Sequence, residues 1–238
     1  MTISNMPIED FLKNCLIQVS HFKRRKDRVP FIADIFKSLN IDNYQNCLVE
    51  PILPSGQLLA SFTNHNFTNI KAGLSIALTK AACMTRAIEA NKPLFFLEDD
   101  AVLAPDFLTK LNEAILELPD DWKVFYLGWR DDHRPNEIPQ DIKRLFQFDI
   151  GRFSKIKVLT YPWLNHALII RCQKCLNDLR SYILDPATYR KPFMLASDRA
   201  IYRYLIENRI AMYGASPKLA VQAIGYSDHL EKEFNHNC

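Results

Sequence analysis

Leu94-Phe95-Phe96-Leu97-Glu98-Asp99-Asp100 sets four apolar residues directly against three carboxylates. A short apolar run with aromatic members reads as a strand covered on both faces. Ionised side chains inside such a strand would be costly to desolvate, so the three acids are expected where the strand leaves the sheet. Ligands of open α/β sheets gather at the carboxyl ends of strands. Alternation along an extended segment would turn Glu98 and Asp100 one way and Asp99 the other. Two carboxylates on one face suit Mg²⁺ or Mn²⁺, completed by water and a substrate phosphate. The alternative for the same residues is a solvated acidic turn ahead of a helix.

Upstream of this strand, Lys92-Pro93 ends a helix over Ile70–Ala90, whose stripe is Leu74, Leu78, Ala81, Met84 and Ile88. Thr79, Lys80 and Arg86 lie partly off that stripe. Gln57–Asn69 is polar and reads as a loop, and Asn46–Ile52 as a strand centred on Leu48-Val49. Pro30 opens a helix carrying Ile32, Ile35, Phe36 and Leu39. Cys15–Val19 is the first strand, and it runs into the basic stretch Ser20–Arg28. Arginine forks in such a position match phosphate oxygens, although a solvated helix start reads equally well.

Downstream, Pro105 starts a helix with Leu108, Leu111, Ile115 and Leu118 inward, and Lys123–Leu127 is the next strand. Arg130–Phe153 has no periodicity and reads as an irregular insertion over the active face. Order resumes with a strand at Asn165–Ile170 and a helix at Gln173–Ile183. Ser197 caps a helix from Asp198 to about Asn208, followed by short strands at Ile210–Tyr213 and Leu219–Gln222. The polar tail Gly225–Cys238 is expected to be extended. Alternating strands and helices predict an α/β fold with a mostly parallel central sheet flanked by helices. One domain is expected over residues 1–238.

With 238 residues, 48% hydrophobic and 24% charged, the chain has the composition of a soluble globular protein. A net charge of +3 does not call for nucleic acid, but it suits an anionic substrate or peripheral contact with a membrane surface. The first ten residues carry no apolar run and no window is long enough to span a bilayer, so a cytoplasmic location is expected. The six cysteines are scattered and read as free thiols; the lone Cys172-x-x-Cys175 reads as helix packing ahead of zinc or redox chemistry. No Gly-x-Gly-x-x-Gly or P-loop pattern occurs, which argues against Rossmann dinucleotide binding and P-loop chemistry.

The order of these pieces resembles glycosyltransferase family 25, which contains bacterial lipooligosaccharide galactosyltransferases and collagen galactosyltransferase domains. The matching segments are Ile17–Arg28, Ala87–Phe107, Asp121–Gly128, Asn165–Arg171, Ser197–Leu205 and Gln222–Asp228. The resemblance implies a GT-A-like fold, with the donor-binding part at about 10–130 and the acceptor-side part at about 131–238. It also implies a UDP-sugar donor (commonly UDP-galactose), Mn²⁺ or Mg²⁺ as cofactor, and inverting transfer of a hexose to a glycan hydroxyl. A lipopolysaccharide or lipooligosaccharide acceptor would place the enzyme in the cytoplasm or at the inner face of the cytoplasmic membrane.

By the same resemblance, Glu98-Asp99-Asp100 falls on the family's acidic motif, with Asp100 the first metal ligand, Glu98 reaching metal or ribose, and Asp99 supporting them or contacting the sugar. Arg24 and Arg28 would hold the nucleotide. Asp198 would be the general base. Gln222 and Ser227-Asp228 fall on a C-terminal element of the donor site, and His229 would complete the metal shell. The family's Gly…Ser-His element departs here to Thr79-Lys80, and Lys80 joins the donor-binding set.

His21, His166 and His229 compete with Asp198 as bases, and His166 reads as a structural residue. Trp129, Tyr161 and Trp163 read either as acceptor-stacking rings or as core. Two other functions use the same residues: metal-dependent nucleotidyl or phosphoryl transfer, and a degenerate GT-A fold acting as a non-catalytic binding module.

Overall fold

The computed structural model describes residues 6–61, 70–131, 154–159, 162–190, 197–227 and 232–234. For residues 70, 130, 131, 163–165 and 190, and from 225 onward, the description covers the backbone alone.

Among the described residues the elements begin with helix α1 (Ile8–Asn14), strand β1 (Leu16–Ser20), α2 (Val29–Ser38) and β2 (Leu48–Val49). Then come α3 (Gly56–Ser61), α4 (Ile70–Glu89), β3 (Leu94–Glu98), β4 (Ala101–Leu103) and α5 (Phe107–Glu117). The second half holds β5 (Val124–Asp131), β6 (Ile156–Val158), β7 (Pro162–Ile170), α6 (Gln173–Leu184) and α7 (Ser197–Glu207). It closes with β8 (Met212–Ala215), β9 (Ala220–Gln222), β10 (Gly225–Ser227) and β11 (Lys232–Phe234).

Seven strands form the central sheet in the order β2-β1-β3-β7-β5-β8-β6. The pairs β1–β2, β1–β3 and β5–β8 are parallel, while β7 and β6 are antiparallel to their neighbours. Five strands therefore share one direction and two oppose them, which makes the sheet mostly parallel. It is covered by helices on both faces, so the fold is α/β.

The buried strand at its centre shows why. Leu94 and Phe96 enter one hydrophobic cluster with residues of α4, α6 and α7, while Phe95 and Leu97 enter the other with residues of α1, α2 and α5. Successive strand side chains point to opposite faces, so an unbroken apolar run serves both layers. Burying each such side chain contributes about 1.5–3 kcal/mol, which holds β3 in the sheet and leaves Glu98 at its rim.

Sheet order also creates a switch point. From β1 the chain passes to β2 on one side, and β3 then returns to the other side of β1. Register aligns Ser20 with Glu98, so the turns after β1 and β3 leave the sheet together. Crevices outside the carboxyl ends of strands at such a point are the usual ligand sites of open α/β sheets.

Several expectations are corrected. Residues 56–61 of the polar stretch form α3 rather than loop, while residues 62–69 lie outside the described residues. The chain does not pass straight from the acids into a helix: β4 intervenes and pairs antiparallel with β9. β5 runs on to Asp131, past the Arg130 at which the irregular insertion is expected to begin, and residues 132–153 lie outside the described residues. Part of the tail, over β10 and β11, pairs as an antiparallel hairpin. No helix among the described residues is long and apolar enough to cross a membrane.

Candidate active site

The acids divide differently from the alternation of an ideal strand. β3 ends at Glu98, and Asp99-Asp100 form a turn into β4, so the two-residue period stops before it reaches Asp100. Glu98 faces α4, α7 and β9, whereas Asp99 and Asp100 both meet the turn that follows β1.

On the first side, Lys80 Nζ of α4 stands 3.6 Å from Glu98 Oε1 and 3.6 Å from Asp198 Oδ1, at the start of α7. Gln222 Nε2 of β9 donates to Glu98 Oε2 at 3.1 Å. Pairing of β4 with β9 places that glutamine opposite Ala101, and the Ala223 amide donates to the Asp100 carbonyl at 2.8 Å. The extra strand β4 thus clamps the acid turn to the C-terminal part of the chain.

On the second side, His21 Nδ1 lies 2.8 Å from Asp99 Oδ2, and Arg28 Nη1 lies 3.5 Å from Asp100 Oδ2. Both bases are buried. A short 3₁₀ turn over Lys26–Arg28 directs Arg28 inward. Arg24 stays exposed, with its guanidinium over the Phe22 ring at 4.8 Å. The two arginines proposed for nucleotide binding therefore diverge: Arg28 belongs to the acid cluster and Arg24 to the surface.

Burial dominates the proton affinities. It pushes the Glu98 carboxyl up to about 8, against the pull of Lys80 and with added repulsion from Asp100, Asp198 and Asp99. Burial raises Asp99 as well, opposed by the hydrogen bond from His21. Tyr126 of β5 is fully buried, its hydroxyl has no hydrogen-bond partner among the described residues, and its pKa is raised by burial and by the Asp198 charge. Nothing in the sequence marked this tyrosine, because it reads as one more core position in an apolar strand.

Two features fit a hard divalent cation. The four carboxyl groups of Glu98, Asp99, Asp100 and Asp198 outnumber the three basic side chains that meet them, Lys80, Arg28 and His21. Asp100 Oδ1 is buried without a hydrogen-bond partner among the described residues, and such an oxygen suits a cation that also keeps water and substrate oxygens. Among the described residues, no group of three or more His, Cys, Asp or Glu side chains is arranged to hold a metal by itself. Asp228 and His229, expected in the donor site and metal shell, lie outside the described residues.

The remaining expected residues separate clearly. His166 is buried, with Nε2 3.4 Å from the Ala220 carbonyl, which is a structural position. Trp129 is a core residue rather than an open stacking platform, and the ammonium groups of Lys157 and Lys218 lie 3.8 and 4.9 Å from its ring centroid. Tyr161 and the Trp163 side chain lie outside the description.

No protein-family model matches this chain, and no curated protein matches it. Among solved structures it is similar to the crystal structure of A197 from STIV, with 12% identity over 94% of this chain and 100% of that chain, and a TM-score of 0.42. The functional reading therefore stands on the site.

Proposed function

We propose that the chain is a glycosyltransferase that moves a hexose from a UDP-sugar to a glycan hydroxyl, with inversion and with Mn²⁺ or Mg²⁺. One observation carries this reading: the acid turn after β3 and the basic turn after β1 meet at the switch point of the sheet, in a cluster where carboxyl groups outnumber basic side chains. The resemblance to family 25 supplies galactose as the hexose and a lipopolysaccharide or lipooligosaccharide as the acceptor. It also supplies a cytoplasmic location with peripheral contact at the inner face of the membrane.

Glu98 and Asp100 would hold the cation, which when bound supplies charge neutralisation for the departing diphosphate. Asp198 accepts the proton of the acceptor hydroxyl as that oxygen bonds to the anomeric carbon and the diphosphate oxygen leaves. Arg24 offers an exposed fork to a phosphate. Asp99, held by His21, braces the acid turn.

The test is product analysis after incubation with UDP-galactose, Mn²⁺ and a panel of oligosaccharide acceptors. Release of UDP together with a glycosidic product, abolished in Asp100→Asn, supports the reading. Release of pyrophosphate would favour nucleotidyl transfer. One observation favours a non-catalytic binding module as the second reading: Lys80, His21 and Arg28 already pair with the three acids. That reading predicts ligand binding with no product under any of these conditions.

A further inference from the structure

Lys80 is 2% exposed, a depth at which lysine is seldom found without compensation for its charge. Its ammonium stands 3.6 Å from one oxygen each of Glu98 and Asp198 and makes no hydrogen bond among the described residues. Charge-assisted hydrogen bonds close to about 2.7–2.9 Å, so this ammonium holds both carboxylates by charge while keeping its donors uncommitted. Water does not take them up easily. The Phe96 ring centroid is 5.5 Å from Nζ, and the adjoining void, of about 10 Å³, is lined by Lys80 and by apolar side chains such as Met84, Leu168 and Ile201. A void that small is at the lower limit for a single water.

We infer that Lys80 is the internal counter-ion of the site. It competes with a divalent cation for Glu98, keeps Asp198 tied to the acid turn, and passes to a diphosphate oxygen when cation and nucleotide bind together. The last clause rests on the transferase reading; the competition for Glu98 does not. A cation arriving alone must displace an ammonium already neutralising its ligand, so it binds weakly. A cation arriving with a diphosphate gives that ammonium a new partner, so the two ligands strengthen each other, and linkage makes the effect reciprocal. Lys80 acts here as a positioning residue, through Glu98 and Asp198.

The experiment is calorimetric titration of the wild type, Lys80→Met and Lys80→Arg with Mn²⁺ alone, and again with UDP present. Removing a positive charge this close to a cation's ligand should raise the affinity of Lys80→Met for Mn²⁺ alone by about tenfold or more. Lys80→Arg should behave as the wild type, and the gain should vanish in Lys80→Met/Glu98→Gln. A lysine kept only for packing would change thermal stability and leave Mn²⁺ affinity alone. Equal affinity in the wild type and Lys80→Met, both folded by circular dichroism, overturns the inference. If Lys80→Met does not fold, Lys80→Gln makes the same comparison. Failure of UDP to bind any of these proteins in the presence of Mn²⁺ overturns the transferase reading, while the titration with Mn²⁺ alone still decides the role of Lys80.

Discussion

A Cβ at position 128 would stand 2.0 Å from His166 Nε2 and 2.7 Å from the Ala220 carbonyl oxygen. Glycine is therefore required where β5 passes His166 and β9, and the pairing of β5 with β7 shifts register on both sides of it. Neither neighbour can give way cheaply, because the carbonyl belongs to β9 and the imidazole is buried. Gly128→Ala should destabilise the protein by about 1–3 kcal/mol or more, as overpacking of a core does. It should also loosen the clamp of β9 on the acid turn, since Gln222 sits two residues beyond Ala220. Chemical denaturation measures the first effect, and the Mn²⁺ affinity of the folded variant reports the second. The sequence shows a glycine after an apolar strand but not what it must clear, because His166 and Ala220 are distant in the chain.

At the scale of the element, the end of β3 decides the electrostatics. Glu98 titrates near 4.5 as an ordinary carboxyl and at about 8 in the folded chain. A raised folded pKa means that the native state binds the proton more tightly than the unfolded state does. Its contribution to stability is thus complete below about pH 4.5 and is lost as pH rises through 8. Glu98→Gln, which stays neutral, should melt higher than the wild type at pH 8 and close to it at pH 4.5. Melting curves of both proteins across that range check this, and a constant difference between them would contradict it. The carboxylates at the strand end were legible because four apolar residues precede them. How they divide was not, because alternation holds only while the strand lasts, and the chain turns at Asp99. Lys80 shows the same limit from the other side: it lies off the apolar stripe of α4, yet it is buried, because α4 packs under the acid turn and α7 covers it.

For the whole molecule, the central sheet followed from alternating strand and helix patterns, whose periods report burial on two faces or one. The strands that the sequence does not announce, β4 and β6, have remote partners. β4 is three residues long and pairs with β9, more than a hundred residues further along the chain. β6 is three residues long and, among the described residues, pairs with β8 alone. Short strands carry too little periodicity to be read alone, and here they complete the site. The acids at Glu98–Asp100, the arginine at 28 and the aspartate at 198 were placed by motif order, and the fold brings them to one cluster. Arg24 was placed by the same order and points outward, since a basic turn gives no sign of which side chain it buries.

The most direct measurement is thermal denaturation of the purified protein with UDP, UDP-galactose and UDP-glucose, each with and without Mn²⁺. A ligand that binds only the native state raises the apparent melting temperature. A shared nucleotide and metal site gives a rise that needs nucleotide and Mn²⁺ together, exceeds the sum of the separate effects, and disappears in Asp100→Asn. A flat response to every nucleotide with the protein folded, or a rise that survives in Asp100→Asn, would contradict it.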